Sequence, residues 1–124
     1  MGLDMSGISQ MQSALTYHRE RHTALAGNVA NLDTPGYRPI DLTRTTAADA
    51  TLAVTSEGHL AAASTPAFVQ TFDDGGALQG PDGNAVSLER ELAKIDANRT
   101  RYATTTELVS RRLGMLRYAA GDGV

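Results

Sequence analysis

The chain has 124 residues, no cysteine, no tryptophan, only two phenylalanines and a formal net charge of −3. That length suits one small domain that buries a modest share of its surface. Without cysteine there are no disulfides or thiolate metal sites, and the mild negative charge argues against a dedicated nucleic-acid binder. No apolar run approaches the roughly 18 to 20 residues of a membrane span. Residues 1–12 carry no basic n-region, and no continuous apolar h-region follows. Any export is therefore expected to proceed without a cleaved signal.

Proline and glycine divide the chain in three. Residues 1–31 read as an N-terminal helix, with no proline and only Gly7 and Gly27 from residue 5 onward. Residues 32–86 hold all four prolines and half of the twelve glycines, an irregular, turn-rich middle. Residues 87–124 read as a C-terminal helix and tail, interrupted once by Gly114. The pattern predicts a mainly α fold in which two long terminal helices pair as an antiparallel coiled-coil hairpin. The middle joins them as a loop with room for a short β-hairpin.

In the first helix Ile8, Met11, Leu15, His18, His22, Leu25, Val29 and Leu32 step by threes and fours, the a and d positions of a heptad repeat. Ser6 is a candidate N-cap beside a soft Gly7. In the second, Leu88, Leu92, Ile95, Arg99, Tyr102, Thr106, Val109, Leu113, Leu116 and Ala120 repeat the pattern. Ser87 suits its N-cap, with Glu89 and Glu91 in the first turn. Arg111, Arg112 and Arg117 complement the dipole at the far end, and Gly121 suits a stop. His18, His22, Arg99 and Thr106 interrupt so narrow a stripe that a lone hairpin gains little against the entropy of ordering it. The expectation is a poorly ordered monomer that completes its helices against copies of itself, with an independently stable hairpin as the alternative.

In the middle, residues 51–55 and 67–72 suit short strands, and Asp73-Asp74-Gly75-Gly76 and Pro81-Asp82-Gly83-Asn84 suit turns. Its acids, Asp33, Asp41, Asp49, Glu57, Asp73, Asp74 and Asp82, outnumber Arg38 and Arg44. The second helix leans the other way, with Arg90, Lys94, Arg99, Arg101, Arg111, Arg112 and Arg117 against Glu89, Glu91, Asp96 and Glu107. Opposite signs on one subunit suit head-to-side packing between copies, or serve as two solvated surfaces.

The joint reads Leu25-Ala26-Gly27-Asn28-Val29-Ala30-Asn31-Leu32-Asp33-Thr34-Pro35-Gly36-Tyr37. Small residues at Ala26, Gly27 and Ala30 let another backbone come close. Asn31 and Asp33 can bond local backbone where the helix ends. Pro35-Gly36 suits the centre of a type II turn, and Tyr37 offers an aromatic face with a polar tip. Physically this is a helix stop followed by a rigid turn, with no evident chemistry.

The pattern Ala26-x-Asn28-x-Ala30-Asn31-x-x-Thr34-Pro35-Gly36-Tyr37 closely resembles the N-terminal signature of the flagellar axial proteins, the family of rod and hook subunits. The short length, Asp82-Gly83-Asn84-Ala85-Val86, and then Leu88, Glu91, Leu92 and Tyr102 resemble its proximal-rod members. Leu42, in Arg38-Pro39-Ile40-Asp41-Leu42, stands where some relatives have an aromatic residue. The resemblance implies a structural subunit of the basal-body rod, which crosses the periplasm, exported unfolded through the flagellar type III apparatus and required for motility. It implies assembly through Ile8, Met11, Leu15, Leu25, Val29, Leu88, Leu92, Ile95, Tyr102, Val109, Leu113 and Leu116. Its implied partners are further copies of itself, other rod subunits, the adaptor between membrane ring and rod, and the rod-capping protein, with no cofactor and no nucleic acid.

Metal binding and catalysis are the competing chemistries. His18 and His22 stand four apart on one helical face, a spacing that can hold zinc. Glu20, however, does not directly follow the first histidine as the metalloprotease pattern requires, and His59 lies far off in the middle. Packed seam residues explain the pair more simply, so no metal is expected. With no nucleophile elbow, phosphate-cradling glycine loop or carboxylate pair in a recognisable setting, no catalytic residue is expected either. A generic coiled-coil adaptor would account for the heptads but not for the signature from Ala26 to Tyr37.

Overall fold

The computed structural model describes residues 6–44, 68–73, 81, 83 and 86–121. Four elements follow in order: α1 (Ser6–Ala30), β1 (Ile40–Arg44), β2 (Phe68–Phe72) and α2 (Leu88–Gly121). The fold is mainly helical, an antiparallel hairpin of α1 and α2 with a two-stranded antiparallel sheet laid on α1. The direction is set by two contacts, His18 with Asn98 and Asn28 with Glu91.

Ser87 closes the first turn of α2, its carbonyl accepting from the Glu91 N–H at 2.9 Å. That is the geometry of an N-cap residue. Gly114 does not break α2, which runs without interruption to Gly121. Counted from the pairing of His18 with Asn98, residues 111–121 of α2 lie beyond Ser6, the first described residue, about 16 Å of helix.

The buried face of α2 differs from the heptad reading of the sequence. Ile95, Val109 and Leu116 are half-buried as expected, but their companions on the inner face are Glu91, Asn98, Thr105 and Arg112. Leu88, Leu92, Tyr102 and Leu113 are exposed. Polar demand explains the turn of the helix. His18 and Asn28 are buried on α1, and an unpaired buried polar group costs about 1–3 kcal/mol. Asn98 and Glu91 meet that demand only if α2 rotates them inward, which sends Leu92 and Leu113 out. On α1, Leu25 is fully buried while Ile8, Met11, Leu15 and Val29 are half-buried. Among the described residues the buried apolar side chains are Tyr17, Leu25 and Pro39.

The sheet pairs Ile40 with Phe72 and Arg44 with Phe68 at its ends. β2 falls within the stretch expected to be extended, whereas residues 51–55 lie outside the described residues. β1 had no sequence signal, because Ile40-Asp41-Leu42 offers too short an alternation. Its position comes from α1. The Tyr17 hydroxyl donates to the Leu42 carbonyl at 2.8 Å, and the Tyr17 ring meets Phe68 at 5.9 Å between centroids. The aromatic contact beside Leu42 thus comes from the opposite strand.

Arg21 grips Asp41 with both nitrogens, Nε to Oδ1 at 2.7 Å and a terminal nitrogen to Oδ2 at 2.8 Å. Burial alone would push the Asp41 carboxyl up, but the Arg21 hydrogen bond, the Leu42 N–H and the Arg21 and Lys94 charges hold it below its ordinary value. A carboxyl lowered in the folded state adds stability that is complete above its unfolded pKa, about 3.9, and is lost as pH falls through the folded value. The Asp41→Asn variant should lose on the order of 1–3 kcal/mol at neutral pH. Its deficit should shrink on acidification below about pH 4, as urea unfolding followed by circular dichroism would show. A deficit equally large in acid would mean that the pair adds no charge-dependent stability.

Candidate functional site

The joint between α1 and β1 is where the described elements converge. Asn28 is fully buried, and its amide makes four hydrogen bonds. Nδ2 donates to the Ile40 carbonyl and to Glu91 Oε2, both at 2.8 Å. Oδ1 accepts from the Ile40 N–H at 2.9 Å and from the Tyr37 hydroxyl at 3.3 Å. This uses every donor and acceptor that an amide side chain has.

The rest of the signature shapes the turn that brings Ile40 and Tyr37 to Asn28. Asn31 closes the helix, its Nδ2 donating to the Gly27 carbonyl at 2.8 Å while its Oδ1 accepts from the Thr34 hydroxyl at 3.1 Å. The Tyr37 N–H donates to the Thr34 carbonyl at 3.2 Å, with Pro35 and Gly36 between and Gly36 at φ 71°. Positive φ at the third residue is the mark of a type II turn and favours glycine. Gly83, at φ 74°, lies against this turn, a Cβ built on it falling 3.9 Å from the Gly36 Cα. Ala26 and Ala30 are exposed, and a Cβ at Gly27 would meet nothing within 4 Å, so no backbone of the described residues closes on this small-residue surface.

A charged chain extends from the same point. Glu91, buried, accepts from Asn28 on one oxygen and from Lys94 Nζ at 2.9 Å on the other. Lys94 also donates to Asp73, which is held by Arg90 at 2.8 Å and donates its own N–H to the Pro39 carbonyl at 2.8 Å. Part of the opposition between acidic middle and basic α2 is therefore satisfied inside the subunit. Sequence reading missed Glu91, Lys94 and Asn98 as inward-facing. For Glu91 and Asn98 the signal is a seven-residue polar series, Glu91, Asn98, Thr105 and Arg112, running beside the apolar one; Lys94 stands outside it.

The two histidines separate. His18 is buried, with Nδ1 2.8 Å from Asn98 Oδ1, and Asn98 Nδ2 donates to the His18 carbonyl at 2.7 Å. Because the amide oxygen faces Nδ1, that nitrogen carries the proton. His22 is exposed. A cavity of about 190 Å³ lies between them, bordered by Arg99 and Tyr102. Among the described residues no three of His, Asp and Glu gather as metal ligands. The joint's resources are hydrogen bonds and backbone geometry, which hold the elements together.

No family model matches the chain. Proteins named flagellar basal body rod protein FlgB do. Those of Aquifex aeolicus and Salmonella typhimurium are each 32% identical to it, over 89% of this chain and 89% and 90% of their own lengths. The chain belongs to the FlgB family of flagellar basal-body rod proteins. The Aeromonas hydrophila FlgB is 29% identical over 90% of both chains. A match of that length necessarily includes the joint and the buried Asn28 of this FlgB-family chain.

Asn28→Ala strands the Ile40 backbone pair and Glu91 together and should cost about 3 kcal/mol. Gly36→Ala, which only strains a left-handed position, should cost about 1 kcal/mol. Urea unfolding of both variants tests the ranking, and a Gly36 variant weaker than the Asn28 one would place the main constraint in the turn.

Proposed function

We propose that this chain is a non-catalytic structural subunit of the proximal rod and that it self-assembles through apolar residues left uncovered on α2. The observation that carries the proposal is the outer surface of α2 and its overhang. Leu92 is 51% exposed, Leu113 49%, Met115 64% and Tyr118 73%. A fully buried apolar side chain of this size contributes about 1.5–3 kcal/mol, and the isolated subunit forgoes the exposed share of it at each position. Neighbouring subunits supply the missing cover, and binding free energy between them takes the place of a larger core. A heterologous contact that does not close on itself generates a helical tube. The chain reaches the rod through the flagellar type III export apparatus, and its neighbours are other rod subunits, the membrane-ring adaptor and the rod-capping protein. Names and coverage of the FlgB relatives support this assignment; the exposed residues support the surface.

Leu113→Asp puts a charge on that surface at a residue that is 49% exposed. Basal bodies purified from such a strain should show membrane rings without rods under the electron microscope, in non-motile cells that still export the variant. Normal rods and swimming would remove the outer surface of α2 from rod assembly.

A further inference from the structure

The charges of α2 are sorted around its circumference. Glu89, Asp96 and Glu107 stand seven and eleven residues apart, which places them along one line of the helix. Arg90, Lys94 and Arg101 stand four and seven apart along a second line, about 130° around from the first. Much of this charge is answered within the subunit. Arg90 and Lys94 hold Asp73, Lys94 also holds Glu91, and Glu107 pairs with Arg111 at 2.8 Å. Glu89 and Asp96 on the acidic side and Arg101 on the basic side are exposed, and none of them has an ion-pair partner among the described residues.

Arg101 opens onto a cleft. About 600 Å³ in volume, it lies between α1, β1 and α2, with Tyr17, Arg21, Asp41, Arg44 and Arg101 among its walls. Its one carboxylate, Asp41, is taken by Arg21 through two bonds of 2.7 and 2.8 Å. Arg44 leans over the Tyr17 ring, its guanidinium carbon 5.8 Å from the ring centroid. Like Arg101 it has no carboxylate partner among the described residues. The cleft therefore presents two positive charges that the subunit does not neutralise, and carboxylates are what fit it. The complement lies on the other side of α2, where Glu89 and Asp96 stand two turns apart beside the exposed Leu92. One straight helix cannot fold its acidic side onto its own basic side, but a second copy can bring the two together.

We propose that the cleft between α1, β1 and α2 receives the acidic side of a second copy's α2, whose Glu89 and Asp96 carboxylates accept from Arg44 and Arg101. The two sides are different patches, so the contact is heterologous and leaves each copy with one side free for the next. Charge pairing fixes register and choice of partner, while apolar cover adds affinity. This inference rests on the assembly reading above and adds which side of one copy meets which side of the next.

Exchanging the charges tests it. Basal bodies from strains carrying Arg44→Glu with Arg101→Glu, or Glu89→Lys with Asp96→Lys, should show about tenfold fewer rods in the electron microscope. All four substitutions in one chain restore opposite charges and should restore the rods. The absence of cysteine allows a second measurement that keeps every charge. Ala93 lies beside Glu89 and Asp96 on α2, and Thr43 borders the cleft. Thr43→Cys combined with Ala93→Cys, oxidised in assembled basal bodies, should form interchain disulfides about tenfold faster than Thr43→Cys combined with Ser110→Cys. Undiminished rods in either charge-reversed pair, or no recovery in the fourfold variant, would overturn the proposal. So would equal disulfide rates at Ala93 and Ser110, which would assign the cleft to a different rod subunit. Any of these results beside missing rods in Leu113→Asp leaves the assembly reading standing, since Leu113 lies outside this contact.

Discussion

One amide organises this subunit. The Asn28 side chain bonds both the N–H and the carbonyl of Ile40, the two-bond pattern by which one strand residue holds its neighbour across an antiparallel pair. A helix side chain thereby acts as the sheet's third strand at a single residue. The second amide hydrogen goes to Glu91, so the same group also sets where α2 lies along α1. Helix, strand and helix are tied through a site without exposure to water, where each bond resists being exchanged for a solvent bond.

The polar layers account for a feature that apolar packing alone would not produce. A coiled coil governed by its leucines would bury Leu92 and Leu113 and expose Asn98. Here the rotation of α2 follows His18 and Asn28, and the leucines face outward. Hydrophobic burial is non-directional and tolerates a rotated helix, whereas a buried amide or imidazole tolerates few arrangements of its partner. The helices gain a defined register at the expense of core, and the uncovered apolar surface is what a subunit of a larger assembly can use.

The FlgB-family signature has a physical division of labour. Asn31, Thr34, Pro35 and Gly36 bend the chain, Tyr37 and Asn28 meet across the bend, and Ala26 and Ala30 keep the outer surface low. Arg21 with Asp41 and Lys94 with Asp73 then fasten the small sheet to α1 and α2 respectively. This is a joint whose role is to hold an angle.

Local chemistry made much of this legible in the sequence alone. The proline-free stretches, Ser87 at the start of α2 and the Pro35-Gly36 turn depend on the conformational preferences of neighbouring residues, which are the same in any fold. The signature carried the family for a similar reason, since its residue types are tied to one local turn. What tertiary structure decided was which side of each helix faces inward. Glu91 and Asn98 read as surface residues because charged and amide groups usually are, and only the partner helix shows that Asn28 and His18 need them. β1 was equally invisible, since Ile40-Asp41-Leu42 becomes a strand through bonds to Asn28, Tyr17 and β2 and not through its own propensity. Periodicity locates an apolar stripe, but a polar group's need for a partner is a property of two segments at once.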